Sequence, residues 1–206
     1  MSAVEKAAPA VTTQAIGQAY GGGFVTGITR DPVTSKRSLH ITAGAAHELV
    51  VAWGKYGEKI EGADSFTDSL ANTKAMAAAG SELAAKVLAL TIGGHADWAI
   101  PARDVQELQY RNFKPTTESN WENSRNGDNP HSEPVGQLYS AEAPLQTVHA
   151  AFQEGGAEAF RDTWYWSSSQ RSANNAFLMT FVAGNQTNYA KGFELRVRPV
   201  RSELID

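Results

Sequence analysis

The chain has 206 residues and no cysteine, and its 18 basic and 22 acidic side chains give a formal net charge of −4. This length predicts one domain, or one domain with insertions, that buries a sizeable core without cross-links. The absence of cysteine excludes disulfides, thiolate nucleophiles and Cys-ligated metals, and the lack of a basic excess argues against an electrostatic nucleic-acid binder.

The start of the chain shows no targeting pattern. It has no basic stretch followed by an apolar block, so we expect no secretory signal and synthesis in a cytosol. The longest apolar stretch, residues 75–92, is interrupted by polar side chains, which argues against insertion into a membrane. We interpret residues 1–15 as a flexible or partner-docked arm and residues 16–206 as a single domain.

Strands and then helices are predicted in the first half of the chain. Gly21, Gly22 and Gly23 predict a turn, and three strand candidates follow at residues 24–29, 38–42 and 48–53. Alanine and leucine content predicts helices over residues 68–79 and 81–90, separated by Gly80.

A third helix is predicted to open at Pro101, because proline suits the first helical turn. Within it, Glu107 stands four residues from both Arg103 and Arg111, a spacing that we interpret as a solvated face. Residues 114–144 are rich in Pro, Ser, Asn and Glu and are interpreted as a long irregular insertion.

The last third of the chain is strand-like. Phe177, Met179 and Phe181 alternate with Leu178 and Thr180, which predicts one buried and one outer face. The run from residue 193 to 198 alternates in the same way, with Phe193, Leu195 and Val197 inward. Runs separated by short turns predict an antiparallel meander, with the strand at 193–200 in one sheet with that at 177–182. Because the helices precede the meander, the fold class is predicted to be α+β.

Patterns of metal and catalytic chemistry are weak. Asn126, Gly127, Asp128 and Asn129 bring oxygen ligands together, as a calcium loop would, but they lack the terminal Glu of an EF-hand. We favour a turn here, since Asn-Gly and Asn-Pro are turn dipeptides. The five histidines show no helical pair spacing, and no Gly-x-Ser-x-Gly elbow is present. We therefore expect no metal, no cofactor and no enzymatic activity.

Two motifs carry a family resemblance. Residues 93–108 read GGHADWAIPARDVQEL, and residues 164–169 read WYWSSS, followed by a closing RVRPVR at residues 196–201. With Gly22-Gly23 and Asn72-Thr73 upstream, this order resembles the Legionella collagen-like protein C-terminal domain family, in the version found in phages and prophages. The resemblance covers nearly the whole chain after residue 17.

The resemblance implies a variant of the C-type lectin fold. In that fold we expect Trp98 and Ile100 to anchor the junction of helix and sheet, Trp164 or Trp166 to fill the core, and Asp97 to cap a backbone turn. The chain lacks the Glu-Pro-Asn or Gln-Pro-Asp and Trp-Asn-Asp motifs of calcium lectins, which argues against calcium-dependent sugar binding. It also lacks the active-site cysteines of formylglycine-generating relatives.

Three functions follow from this resemblance as expectations. The first is a phage virion protein of the tail, made in the host cytoplasm, that acts as a tail-fibre or receptor-binding module for a bacterial surface glycan or protein. The second is a structural virion protein, in capsid decoration or tail assembly, that contacts other virion proteins through the arm. The third is a carbohydrate-binding adhesin domain. By analogy with fibre tips and the collagen-like relatives we expect a homo-oligomer, with a trimer favoured.

The predicted ligand-binding residues lie around the meander turns. Asn and Tyr side chains there combine adaptable hydrogen bonds with flat contact area, although turns are also polar without any ligand. The predicted set is Gln170, Arg171, Asn174, Asn175, Asn185, Asn188 and Tyr189.

Overall fold

The computed structural model describes residues 14–121, 128–135 and 139–205. Within these ranges the chain forms three helices and ten strands, so the predicted α+β class is confirmed. The first sheet contains β1 (Ala19–Tyr20), β2 (Gly23–Arg30), β3 (Arg37–Ala43), β5 (Ser132–Glu133) and β10 (Val200–Leu204). The second contains β4 (Leu49–Ala52), β6 (Trp164–Gln170), β7 (Asn175–Thr180), β8 (Gln186–Ala190) and β9 (Glu194–Val197). Most of the predicted arm, residues 1–13, lies outside the described residues.

The helices begin where the sequence indicates. Helices α1 (Ser69–Ala78) and α2 (Glu82–Leu88) are capped by Asp68, which accepts from the Ala71 amide at 2.8 Å, and by Ser81. Gly80, at φ +84°, turns the chain between them. Helix α3 (Arg103–Phe113) begins two residues after Pro101, where it was predicted to open, and Ala102 is its N-cap. In the described part of the chain, no helix has the length and apolar character needed to cross a membrane.

The second sheet has the strand order β4-β9-β6-β7-β8. Strands β6, β7 and β8 form the predicted antiparallel meander. Strand β9 lies in the same sheet as β7, as predicted, but it pairs with β6 in parallel, at Tyr165 and Arg196. After Pro199 the chain crosses to the first sheet, where β10 pairs with β3. The predicted final strand is therefore two strands in two sheets.

Two apolar clusters fill the interior. One joins both sheets to α1 and α2 and contains Trp98 and Trp166, which confirms their predicted core positions. The other is largely aromatic and lies beside α3, with Phe181 and Met179 among its members. The prediction that β7 has one buried and one outer face is wrong. Each face of the second sheet is covered by an apolar cluster, so Leu178 and Thr180 are buried as well.

Residues of the sequence motifs contact one another. The amide of Ile100 donates to Oγ1 of Thr73 at 2.9 Å, and the Ser168 amide donates to the Pro101 carbonyl at 2.8 Å. Asp97 accepts from Nε and Nη2 of Arg201 at 2.8 and 3.1 Å, an ion pair rather than the predicted turn cap. The motifs thus join the helices to both sheets.

The two glycine motifs also meet. Gly22 and Gly93 have φ of +85° and +61°, and a Cβ on Gly93 would lie 2.5 Å from the Gly22 Cα. Any side chain at either position would collide with the opposite backbone. The glycines predicted as simple punctuation therefore permit a close crossing of two chain segments.

The prediction that Glu107 and Arg111 lie on a solvated face of α3 is wrong. Glu107 and Arg111 form the expected ion pair at 2.8 Å, but both side chains are buried. Nδ2 of Asn129, also buried, donates to Oε2 of Glu107 at 2.7 Å and to the Asp104 carbonyl. The insertion covers this face, because its strand β5 pairs with β2 alongside.

Candidate functional site

The meander brings part of the predicted site to one end of the second sheet. The turn between β6 and β7 spans residues 171–174, and Asn175 at the start of β7 pairs with Ala190 at the end of β8. The Lys191 amide donates to the Asn174 carbonyl at 3.0 Å, which closes this end. We call it the meander-end surface, formed by Arg171, Asn174, Asn175, Asn188 and Tyr189.

Hydrogen bonds hold the asparagines of this surface. The hydroxyl of Ser172 accepts from the amides of Asn174 and Asn175 at 3.2 and 3.1 Å, so the turn is fixed locally. Nδ2 of Asn175 donates to Oδ1 of Asn188 at 2.9 Å across the strands. Asn174 remains exposed. The polar side chains of this surface are therefore attached to a turn whose backbone is fixed by hydrogen bonds.

An exposed aromatic pair lies at the same end of the sheet, with Tyr189 on the opposite face of β8 from Asn188 because successive residues of a strand point to opposite faces. Tyr189 is 50% exposed and Phe193 is 52% exposed, with ring centroids 4.7 Å apart. The sequence pattern predicted Phe193 as a core residue, and that prediction is wrong. The alternation fails there because Phe193 lies in the turn before β9, outside the pleated strand.

Gln170 does not belong to the exposed surface. Its side chain is only 4% exposed, and it accepts from the Ile60 amide at 3.1 Å while its Nε2 donates to the Ile60 carbonyl. Nζ of Lys191 donates to the same Oε1 at 3.0 Å. The amide group thus positions the loop at residue 60 instead of facing solvent.

Asn185 lies at the opposite end of the meander. Its carbonyl accepts from the Thr180 amide at 3.1 Å, in the turn between β7 and β8. Successive turns of a meander lie at opposite ends of the sheet. Here strand β7 separates the two turns by about 17 Å, given the usual rise per residue of a strand. Asn185 is therefore not brought together with the other predicted residues.

A shallow depression of about 460 Å³ borders the meander-end surface. Its walls include Phe66, Phe177 and Arg171, and the two phenyl rings meet edge to face at 5.6 Å. The guanidinium of Arg103 stands 4.6 Å from the Phe177 centroid and 4.9 Å from that of Phe66. The sequence did not predict Phe66 or Arg103 here, and no local pattern links residues so far apart.

Arg103 is fixed in this position. Its Nε donates to Oε1 of Gln186 at 3.0 Å, and Nε2 of Gln186 donates back to the Arg103 carbonyl at 2.9 Å. The Arg103 amide donates to Oγ of Ser169 at 3.0 Å. The predicted pairing of Arg103 with Glu107 is replaced by these contacts on β6 and β8.

Lys191 is a buried cation beneath this end of the sheet. Its ammonium lies 4.5 Å from the Trp53 ring centroid and donates to the Glu58 carbonyl at 2.7 Å. Burial lowers the pKa of Lys191 to about 8, with Glu58 opposing the shift. These contacts anchor the end of the strand.

A second and larger cavity, of about 560 Å³, lies beside β4 and β9. Glu48 is buried there and accepts from Arg196, from Nη2 of Arg198 at 2.9 Å, and from the Tyr165 hydroxyl at 2.8 Å. Burial, and next the charge of Glu48, raise the pKa of the Tyr165 phenol, so that it remains a proton donor. Every carboxylate oxygen of Glu48 is occupied, which suits a structural crosslink between strands.

The described residues contain no group of three His, Cys, Asp or Glu side chains placed to hold a metal. Of the candidate calcium loop, Asn126 and Gly127 lie outside the described residues, and the amide group of Asn129 is used inside the fold.

We expect a chelator to leave the melting temperature unchanged, because no cluster of ligands in the sequence has the spacing of a metal site. Thermal denaturation with and without EDTA measures this. A fall of many degrees on chelation would show an ion site in the loop at residues 126–129.

No protein-family model matches the chain, and no curated protein matches it.

Proposed function

We propose that the protein is a recognition module of a phage virion, a tail-fibre or receptor-binding component that attaches to a bacterial surface structure. The observation that carries this is the meander-end surface, where Arg171, Asn174 and Tyr189 are exposed and Asn175 and Asn188 are half-buried, above a core that is already filled. Such groups can change without loss of the fold, as a recognition surface requires. Tail location and synthesis in the host cytoplasm are parts of the same proposal.

The C-type-lectin-like fold is also a proposal. Its support is the contact among the motifs that carry the family resemblance, including the pairs Thr73–Ile100, Pro101–Ser168 and Asp97–Arg201. Contacts between motif residues that are distant in sequence constrain how the chain folds. A homo-oligomer, with a trimer favoured, is part of the same proposal, and light scattering of the purified chain tests it.

The functional test replaces Asn174, Asn175, Asn188 and Tyr189 together by alanine. We expect the melting temperature to stay nearly unchanged, because none of these side chains fills the core, and attachment to host cells to be abolished. Binding of labelled protein or particles to cells measures attachment. The matched control replaces four exposed side chains elsewhere, Val33, Lys36, Glu142 and Val148, and should attach normally.

Intact attachment by the quadruple variant would remove the meander-end surface from the proposal. The insertion around residues 114–133 would then be the next candidate. Loss of particle assembly instead of attachment would favour a structural virion protein, a role for which the exposed Tyr189–Phe193 pair is suited as a protein contact.

A further inference from the structure

We propose that a small cavity between α3 and the segment at residues 139–147 binds one monovalent anion of the size of chloride, held by Arg111 and Lys114. The cavity has a volume of about 10 Å³, roughly the room that a single water-sized sphere needs. Its walls also include Tyr110, Asn120 and Gln146. This inference goes beyond the proposed function and does not depend on it.

The first argument is a buried donor on α3. The Arg111 side chain is only 4% exposed. Its Nε donates to Oε1 of Glu107 at 2.8 Å and its Nη1 donates to Oγ of Ser132 at 3.3 Å. Its Nη2 is buried as well and has no hydrogen-bond partner among the described residues. A buried charged donor without a partner lowers stability, so an acceptor bound beside this nitrogen would stabilise the fold.

The second argument is the buried charge of Lys114. This residue is 3% exposed, and its ammonium donates to the Glu118 carbonyl and, at 3.1 Å, to Oδ1 of Asn120, which are both neutral groups. An ammonium has three donors, so one remains. Within the described ranges no carboxylate forms an ion pair with Lys114. Burial lowers the pKa of Lys114 to about 8, and the charge of Glu118 opposes this shift.

The third argument is the charge of the cavity lining. Arg111 and Lys114 are cations, and the described residues that line the cavity include no carboxylate. Glu107 compensates the charge of Arg111, so the charge of Lys114 remains. The carboxamide oxygen of Asn120 is shared, because it also accepts from the Tyr110 hydroxyl at 2.5 Å. A water molecule would satisfy the free donors but not the charge, whereas a halide ion does both. The small volume admits a monatomic ion and excludes sulfate and phosphate.

Thermal denaturation of the full chain in chloride tests this inference. Sodium chloride replaces sodium gluconate at constant ionic strength. We expect the melting temperature of wild type to rise with the chloride concentration and then to level off, because a ligand that binds the folded state stabilises it. Crystals soaked in sodium bromide should show an anomalous peak in contact with Arg111 and Lys114.

Two variants test the assigned residues. Lys114→Met removes the ammonium, and its melting temperature should no longer rise with chloride. Arg111→Lys keeps a positive charge but removes Nη2, and the chloride concentration that gives half of the rise should increase about tenfold through loss of one charge-assisted hydrogen bond. The matched control is Lys74→Met, which removes an exposed lysine of α1 and should keep the wild-type dependence on chloride.

The wild-type titration decides the inference without any variant. A melting temperature that does not rise as chloride replaces gluconate would overturn the anion site. A bromide peak without a chloride effect in solution would mean an adventitious ion only, and would also overturn it. An equal dependence on chloride in Lys114→Met and wild type would overturn the role of Lys114.

Discussion

Replacing Trp98 by alanine is expected to lower the free energy of unfolding by about 3–5 kcal/mol. The Trp98 side chain is 0% exposed and packs in the cluster that joins both sheets to α1 and α2. Its Nε1 donates to the His95 carbonyl at 3.0 Å, but that carbonyl also accepts from the Ile92 amide. The loss is therefore mainly a packing loss, from the cavity that the indole leaves.

Urea denaturation followed by far-UV circular dichroism measures this change without relying on tryptophan fluorescence. Trp121→Ala is the matched control, since Trp121 is 50% exposed and its substitution should cost far less. If Trp98→Ala unfolds at the wild-type urea concentration, the ring does not hold the two sheets together.

Replacing Glu48 by glutamine is the second change with a large expected effect, also about 3–5 kcal/mol. The substitution keeps the shape but removes the charge that faces Arg198, whose side chain is buried and whose guanidinium does not deprotonate. Arg198 also donates to the Glu158 and Ala159 carbonyls, so it cannot turn outward without losing those bonds. A buried cation would be left without its counter-charge.

The control for this experiment is Glu82→Gln. Glu82 pairs with Lys86 at 2.7 Å on the exposed side of α2, and its loss should change stability by no more than about 0.5 kcal/mol. Equal midpoints of urea denaturation for the two variants would mean that the ion pairs of Glu48 contribute no more to stability than a surface ion pair does.

Local sequence patterns predicted most of the helices and strands, but not which of their faces are buried. Capping by Asp68 and Ser81, and the proline before α3, are encoded within a few residues, so the helices were predicted close to their observed bounds. Period-2 alternation predicts one covered face, and the sequence cannot show that an apolar cluster covers each face of the second sheet. Leu178 and Arg198 were therefore assigned outward although both are buried.

The candidate site shows the same limit. Gln170 was predicted to be exposed because it is polar, yet its amide is satisfied by the backbone of Ile60, 110 positions away. The placement of Asn185 could have been foreseen, because successive turns of a meander lie at opposite ends of the sheet. Phe66 and Arg103 could not, since they reach Phe177 only through the tertiary fold.

The crossing of the chain at Pro199 has a consequence for how the protein folds. Strand β10 pairs Val200 with Thr42 and Leu204 with Ser38, and β9 pairs Val197 with Leu49. Each sheet thus joins an early strand to a late one, so loop closure over most of the chain must precede these contacts. Such high contact order favours slow folding. On the ribosome, neither sheet is complete until residues 194–204 have left the exit tunnel, and the exposed edges of β3 and β4 need protection until then.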